Sequence, residues 1–130
     1  MATVAAITGA ELPHNAAEDS FNLLPALEGT AAAPIRPYLL TQAFGGQRTL
    51  SIRRANWKYI AHRSSGGNNY DKGELKPYAL PDTDPDAPGQ LYELATDPGE
   101  TTNLYSKKPE IVKELQALLE QSKTTGRSRP

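Results

Sequence analysis

Apolar and polar positions divide most of this chain into two regimes. Between Tyr38 and Leu94, short runs alternate residue by residue; between Pro109 and Leu119, apolar residues return every third or fourth position. Alternation is the period of a strand with one covered face, and the longer spacing is that of an amphipathic helix. Tyr38-Leu39-Leu40-Thr41-Gln42 reads as the first strand. Thr49-Leu50-Ser51-Ile52-Arg53 reads as the second, with Leu50 and Ile52 on one face. Trp57 to His62 reads as the third: Trp57, Tyr59 and Ala61 share one face, and Lys58, Ile60 and His62 the other. Gly45-Gly46 supplies one turn and Arg54-Ala55-Asn56 the next, which predicts an antiparallel meander. Gln90 to Leu94 returns as a strand, and Tyr78-Ala79-Leu80 is a candidate for a minor one. Ile111, Val112, Leu115, Leu118 and Leu119 form one stripe on a helix opened by Pro109, with Glu110 where the helix dipole favours acid. One face of the sheet is the expected partner of that stripe.

The remainder is weaker in pattern. Ala2 to Thr8 suits a short helix stopped by Gly9, with Val4 and Ile7 on one face. Asn22 suits the cap of a second short helix carrying Leu23, Leu24 and Leu27. Thr30 to Pro37 reads as a linker. Ser64 to Gly89, rich in Gly, Asn, Pro and Asp, reads mostly as loop, and Ser122 to Pro130 as a polar end that frays. The fold class that follows is α+β: a small four-stranded antiparallel sheet packed by one C-terminal helix, preceded by a short helical and irregular N-terminal strip.

Composition narrows the picture. With 130 residues there is room for one ordinary domain. Eleven prolines, ten glycines and a hydrophobic fraction of 38% imply much turn and a modest core. A formal net charge of -1 gives no electrostatic ground for a nucleic acid or an anionic membrane as partner. No apolar run approaches the ~20 residues of a membrane span, and the first ten residues lack the basic start of a secretory signal. No cysteine is present, so no disulfide framework or thiolate site is expected.

Candidate chemistry is sparse. His14 and His62 have no companion at metal-ligand or triad spacing. Asp82-Thr83-Asp84-Pro85-Asp86, followed by Glu93, imitates a calcium-binding loop. Ala87 stands where such a loop needs glycine for its sharp turn, and the stretch reads better as a solvated proline-aspartate loop. His62 and Arg63, with Arg53 and Arg54 on the neighbouring strand, could face a sulfated ligand, but read better as a plain surface hairpin and ordinary strand-edge charges. Trp57 and Tyr59 suit a sugar-stacking platform or, better, the core under the helix.

The most specific stretch is Leu91-Tyr92-Glu93-Leu94-Ala95-Thr96-Asp97-Pro98-Gly99-Glu100-Thr101-Thr102-Asn103-Leu104-Tyr105. It resembles the closing signature of the sulfatases, in which Leu-Tyr-Asp-Leu leads into Asp-Pro-x-Glu-x-x-Asn-Leu. Ile52-Arg53-Arg54-Ala55-Asn56-Trp57-Lys58-Tyr59-Ile60 resembles the family's Arg-x-x-x-Trp-Lys-Tyr/Leu-Ile strand. Asp19 to Gly29 resembles its Asp-Gly-x-Ser-Leu-Leu-Pro-Leu-Leu-x-Gly segment, with Ser20 where glycine is usual. Ala2 to Pro13 looks like the end of the preceding helix. The Ser64 to Tyr70 loop and the Gly126-Arg127-Ser128 ending look most like bacterial arylsulfatases.

The resemblance implies a chain without its active site. Residues 1–37 match the end of the sulfatase catalytic domain and a linker; residues 38–130 match the C-terminal subdomain. The family's nucleophile is a formylglycine made within Cys/Ser-x-Pro-x-Arg, and its divalent cation, usually calcium, sits on Asp and Asn from early strands. Neither site has a counterpart here, since Ser128-Arg129-Pro130 only begins the motif. The chain alone is therefore expected to be inactive toward sulfate esters and to hold neither calcium nor formylglycine. Its expected role is structural, with the catalytic domain of a sulfatase as partner or self-association through the N-terminal apolar strip. A binding module for sulfated or phosphorylated carbohydrate and a free-standing dimerisation domain are the alternatives. By resemblance His62, Arg63 and Arg53 are candidates for a substrate rim. The family is often periplasmic or secreted, but no signal in this chain specifies an address.

Overall fold

The structure is a computed structural model and describes residues 1–43, 48–63 and 73–129. Two compact units divide the chain. One comprises Met1–Pro37 with Glu120–Pro130; the other is Tyr38–Leu119.

The larger unit is built on an antiparallel sheet of four strands, β1 (Leu39–Gln42), β2 (Leu50–Arg54), β3 (Trp57–Ile60) and β4 (Gln90–Glu93), in sequential order. The meander expected from the alternating runs is thus present. Its register lines up Leu40, Ile52, Tyr59 and Leu91 in one row across all four strands. This row is the core face. Val112, Leu115 and Leu119, from helix α3 (Pro109–Thr125), bury against Ile52, Tyr59 and Leu91, with Trp57, Ile111 and Leu118 packed at the margin. A one-residue slip in any strand would turn this row outward, so burial fixes the register. Trp57 and Tyr59 are therefore core residues. The buried phenol of Tyr59 accepts a hydrogen bond from Gln116 Nε2 at 3.0 Å, which gives its polar end a partner.

Between β2 and β3 the hairpin loop is Ala55-Asn56, since Arg54 pairs with Trp57. Ala55 takes a positive φ of 51°, as a tight hairpin demands. The Gly45-Gly46 turn lies outside the described residues, as does the Ser64 to Tyr70 loop. The candidate minor strand at Tyr78–Leu80 is absent. Residues Gly73–Tyr78 form a 3₁₀ turn instead, and Ala79 N–H donates to Lys76 C=O at 3.2 Å. Alternation over three residues is too short a signal to oppose local turn bonding.

The smaller unit contains α1 (Ala2–Thr8) and α2 (Leu24–Leu27). Gly9 ends α1 at a φ of 69°, with Ala10 N–H donating back to Ala5 C=O at 3.0 Å. The N-cap of α2 is Leu23, without a side-chain cap, rather than Asn22; Asn22 Oδ1 instead accepts from Leu24 N–H at 3.0 Å in the turn just before the helix. Ala2 N–H donates to Ser20 Oγ and Leu23 N–H to Thr3 Oγ1, tying α1 to the segment before α2. The guanidinium of Arg36 lies 4.7 Å from the centre of the Phe21 ring. Val4, Ile7 and Leu27 stay exposed.

Ser122 to Arg129, in the stretch expected to fray, make ordered contacts in the structure. Helix α3 runs on to Thr125, and the following residues are fastened to residues 13–19. Ser128 N–H donates to Asp19 Oδ1 at 2.9 Å and Arg129 N–H to Glu18 C=O at 2.9 Å. The Arg129 guanidinium donates to the carbonyls of Pro13, His14 and Ala16, and that of Arg127 to the carbonyl of His14. Planar guanidinium forks suit clustered carbonyls; a basic tail offers no hydropathy pattern from which this could be read. Arg129→Ala is expected to speed amide exchange at Ala16, Ser20 and Ser128 about tenfold, the equivalent of roughly 1.4 kcal/mol of local stability. Unchanged exchange at all three would show that the latch holds nothing.

Candidate functional site

The face of the sheet opposite α3 carries two rows: Leu39, Arg53, Lys58 and Tyr92, and Thr41, Ser51, Ile60 and Gln90. Loops cover it toward β4. Toward β1, Thr41, Gln42, Ala43, Thr49, Ser51, Lys58 and Ile60 line a shallow cleft of about 170 Å³.

The covering loops are held by the signature stretch itself. Asn103 is buried and satisfies four groups. Its Oδ1 accepts from Leu91 N–H and Tyr105 N–H, each at 3.0 Å, and its Nδ2 donates to Gly89 C=O and Asp82 Oδ1, each at 3.3 Å. Leu104 N–H donates to Leu91 C=O at 2.8 Å. Asn103 and Leu104 together thereby close the outer edge of β4, which would otherwise expose unpaired backbone. Gly89 is obligatory here, because a Cβ would stand 2.8 Å from Ile60 C=O.

Asp97 organises the turn. Its carboxylate accepts the N–H groups of Thr101 and Thr102 and the hydroxyl of Thr101. Glu100 takes a left-handed φ of 55° and offers both carboxylate oxygens to Lys58 Nζ, at 2.7 and 2.8 Å. Asp82, Thr83 and Asp84 clasp the far end. Thr83 Oγ1 accepts from Asn103 N–H at 2.7 Å and Asp84 Oδ2 from Ser106 N–H at 3.0 Å, while Asp82 Oδ2 accepts from Gln90 Nε2 at 3.3 Å. The run that imitates a calcium loop thus spends its oxygens on backbone and amide donors. Sequence reasoning set this clasp aside; the short side chains that cap nearby backbone were its only signal.

Electrostatics follow from these bonds. Burial alone would raise the Asp82 carboxyl, but the hydrogen bonds from Asp84, Gln90 and Asn103 outweigh it and hold it below its usual value. Donation from Thr101 and Thr102 lowers Asp97, and the Thr96 hydroxyl lowers Glu93. Tyr92 moves the other way. Burial, then the negative charges of Asp82, Glu100 and Asp97, push its phenol up to about 12. The signs give two pH limits. Carboxyls with depressed folded values contribute stability that is lost as pH falls below about 4, where the unfolded chain binds protons first. For a phenol raised from 10 to about 12, both states are neutral below pH 10 and the folded state alone resists ionisation above it. Stability attributable to Tyr92 is therefore lost between pH 10 and 12, by at most about 3 kcal/mol. Tyr92→Phe is expected to flatten this alkaline decline in a denaturant series; an unchanged slope would remove Tyr92 as its cause.

Of the three rim candidates, one lies on β2 and two just beyond the end of β3. Arg53 is exposed on β2 opposite Lys58, and its Nε donates to Ala55 C=O at 3.1 Å. His62 is half-buried just beyond β3 and Arg63 is exposed, with its carbonyl accepting from Gln90 Nε2 at 3.1 Å. Four residues separate Lys58 from His62, roughly 13 Å of extended chain. His62 and Arg63 thus sit together at the cleft end of the sheet, and Arg53 lies apart from them. Among the described residues no group of three or more His, Cys, Asp or Glu side chains is placed to hold a metal ion. The described residues do not fit calcium, and with no cysteine and no complete Cys/Ser-x-Pro-x-Arg run the sequence does not fit formylglycine.

What these features define is an α+β unit whose sheet is covered by a helix on one face and by a clasped acidic turn on the other. The homologues of that unit are sulfatases, and the part they share with it is a sulfatase-like C-terminal portion. An N-acetylgalactosamine-6-O-sulfatase of Bacteroides thetaiotaomicron is 36% identical over 124 residues, covering 95% of this chain and 22% of that protein. Human arylsulfatase A is 30% identical over 122 residues, covering 89% of this chain and 24% of that protein. A solved structure connected with the metabolism of multiple glycosaminoglycans by B. thetaiotaomicron superposes with a TM-score of 0.71 at 35% identity, over 95% of this chain and 24% of that one. A second, of a protein bound to its substrate D-glucosamine-2-N,6-O-disulfate, shares the fold at a TM-score of 0.58 and 20% identity, over 95% of this chain and 22% of that one. No family model matches. The chain spans about a quarter of the length of the relatives it matches.

Proposed function

We propose that this chain serves as the C-terminal subdomain of an arylsulfatase-like sulfuric ester hydrolase, completing and shaping a catalytic domain without breaking the ester bond itself. The observation that carries this reading is the destination of the signature's polar groups. Asp97, Glu100 and Asn103 all turn inward onto backbone or Lys58, which is the arrangement of a scaffold. Sulfate-ester hydrolysis needs an activated nucleophile, stabilisation of the sulfuryl oxygens and an acid for the leaving oxygen. The described residues bring no such set together.

In this reading residues 1–37 belong with the end of a catalytic domain and residues 38–130 form the subdomain. The exposed Val4, Ile7 and Leu27 would pack on that catalytic domain. His62 and Arg63, with Arg53 behind them, would face a sulfated sugar of the kind named for the relatives. Calcium and formylglycine would reside in the catalytic domain.

The test is turnover. The purified chain, supplied with calcium, is expected to leave an aryl sulfate intact. Added to a sulfatase catalytic portion lacking its own subdomain, it is expected to restore solubility and activity. Calcium-dependent hydrolysis by the isolated chain would overturn the proposal, as would failure to associate with such a portion. Dimerisation through the apolar strip, in sedimentation, would favour the self-association alternative.

A further inference from the structure

We draw no further inference here: the strongest candidate, the surface patch of exposed Leu75, Tyr78 and Leu80 on and just after the 3₁₀ turn Gly73–Tyr78, is an unpartnered apolar face, and nothing in the structure shows what covers it.

Discussion

Asn103→Ala is expected to destabilise the larger unit by roughly 3–5 kcal/mol, most of the stability of an ordinary small domain. The figure follows from what the side chain leaves behind. Leu91 N–H and Gly89 C=O would lose their Asn103 partners in a region closed to water, and the clasp to Asp82 would open. Each stranded group costs about 1–3 kcal/mol, and water must enter to repair it. Urea denaturation read by circular dichroism gives the number, and a loss below about 1 kcal/mol would contradict the keystone role. Asn103→Asp separates geometry from charge. The new carboxylate can still accept from Leu91 and Tyr105 but faces Asp82 Oδ1 and Gly89 C=O, where Nδ2 used to donate. It is therefore expected to be as damaging as alanine near pH 7 and partly repaired near pH 5, where a protonated carboxyl can donate again.

That dependence explains how a short motif can be so informative. Asp-Pro-Gly-Glu-Thr-Thr-Asn-Leu reads as turn chemistry, and the turn is what the structure contains. Asp97 gathers amides, Glu100 supplies a left-handed residue and a partner for Lys58, and Asn103 seals β4. Strand pairing was legible for a related reason: Leu50, Ile52, Trp57 and Tyr59 alternate, and a half-covered sheet enforces alternation. The α3 stripe was legible because Val112, Leu115 and Leu119 sit at helical spacing under one load of burial. The missed features share a different physics. The Asp82 to Asp84 clasp, the Arg127 and Arg129 latch and the Thr41, Thr49, Ser51 cleft are each made of polar side chains brought together by tertiary register. Hydropathy periodicity cannot see such meetings, because each member alone looks like surface. Of the rim candidates, His62 and Arg63 adjoin in sequence and so were bound to meet; Arg53's distance from them needed the register of β2 on β3.

The second large effect contrasts two apolar residues that sequence alone cannot rank. Leu115 is 2% exposed in the core cluster, whereas Ile7 is 63% exposed on α1. Leu115→Ala removes three carbons from a packed interior that cannot fully collapse, and is expected to cost about 3 kcal/mol. Ile7→Ser removes three carbons that lie mostly in water and puts a hydroxyl in their place. In the isolated chain it is expected to change stability by less than about 0.5 kcal/mol and to raise solubility. The contrast reaches beyond folding. If Val4, Ile7 and Leu27 form the surface that a catalytic portion covers, Ile7→Ser should weaken association with that portion by about tenfold, the equivalent of the ~1.4 kcal/mol that its lost burial is worth. A loss of stability in the isolated chain comparable to that of Leu115→Ala would mean that Ile7 already has a partner. Unchanged association would mean that the apolar strip faces something other than the catalytic portion.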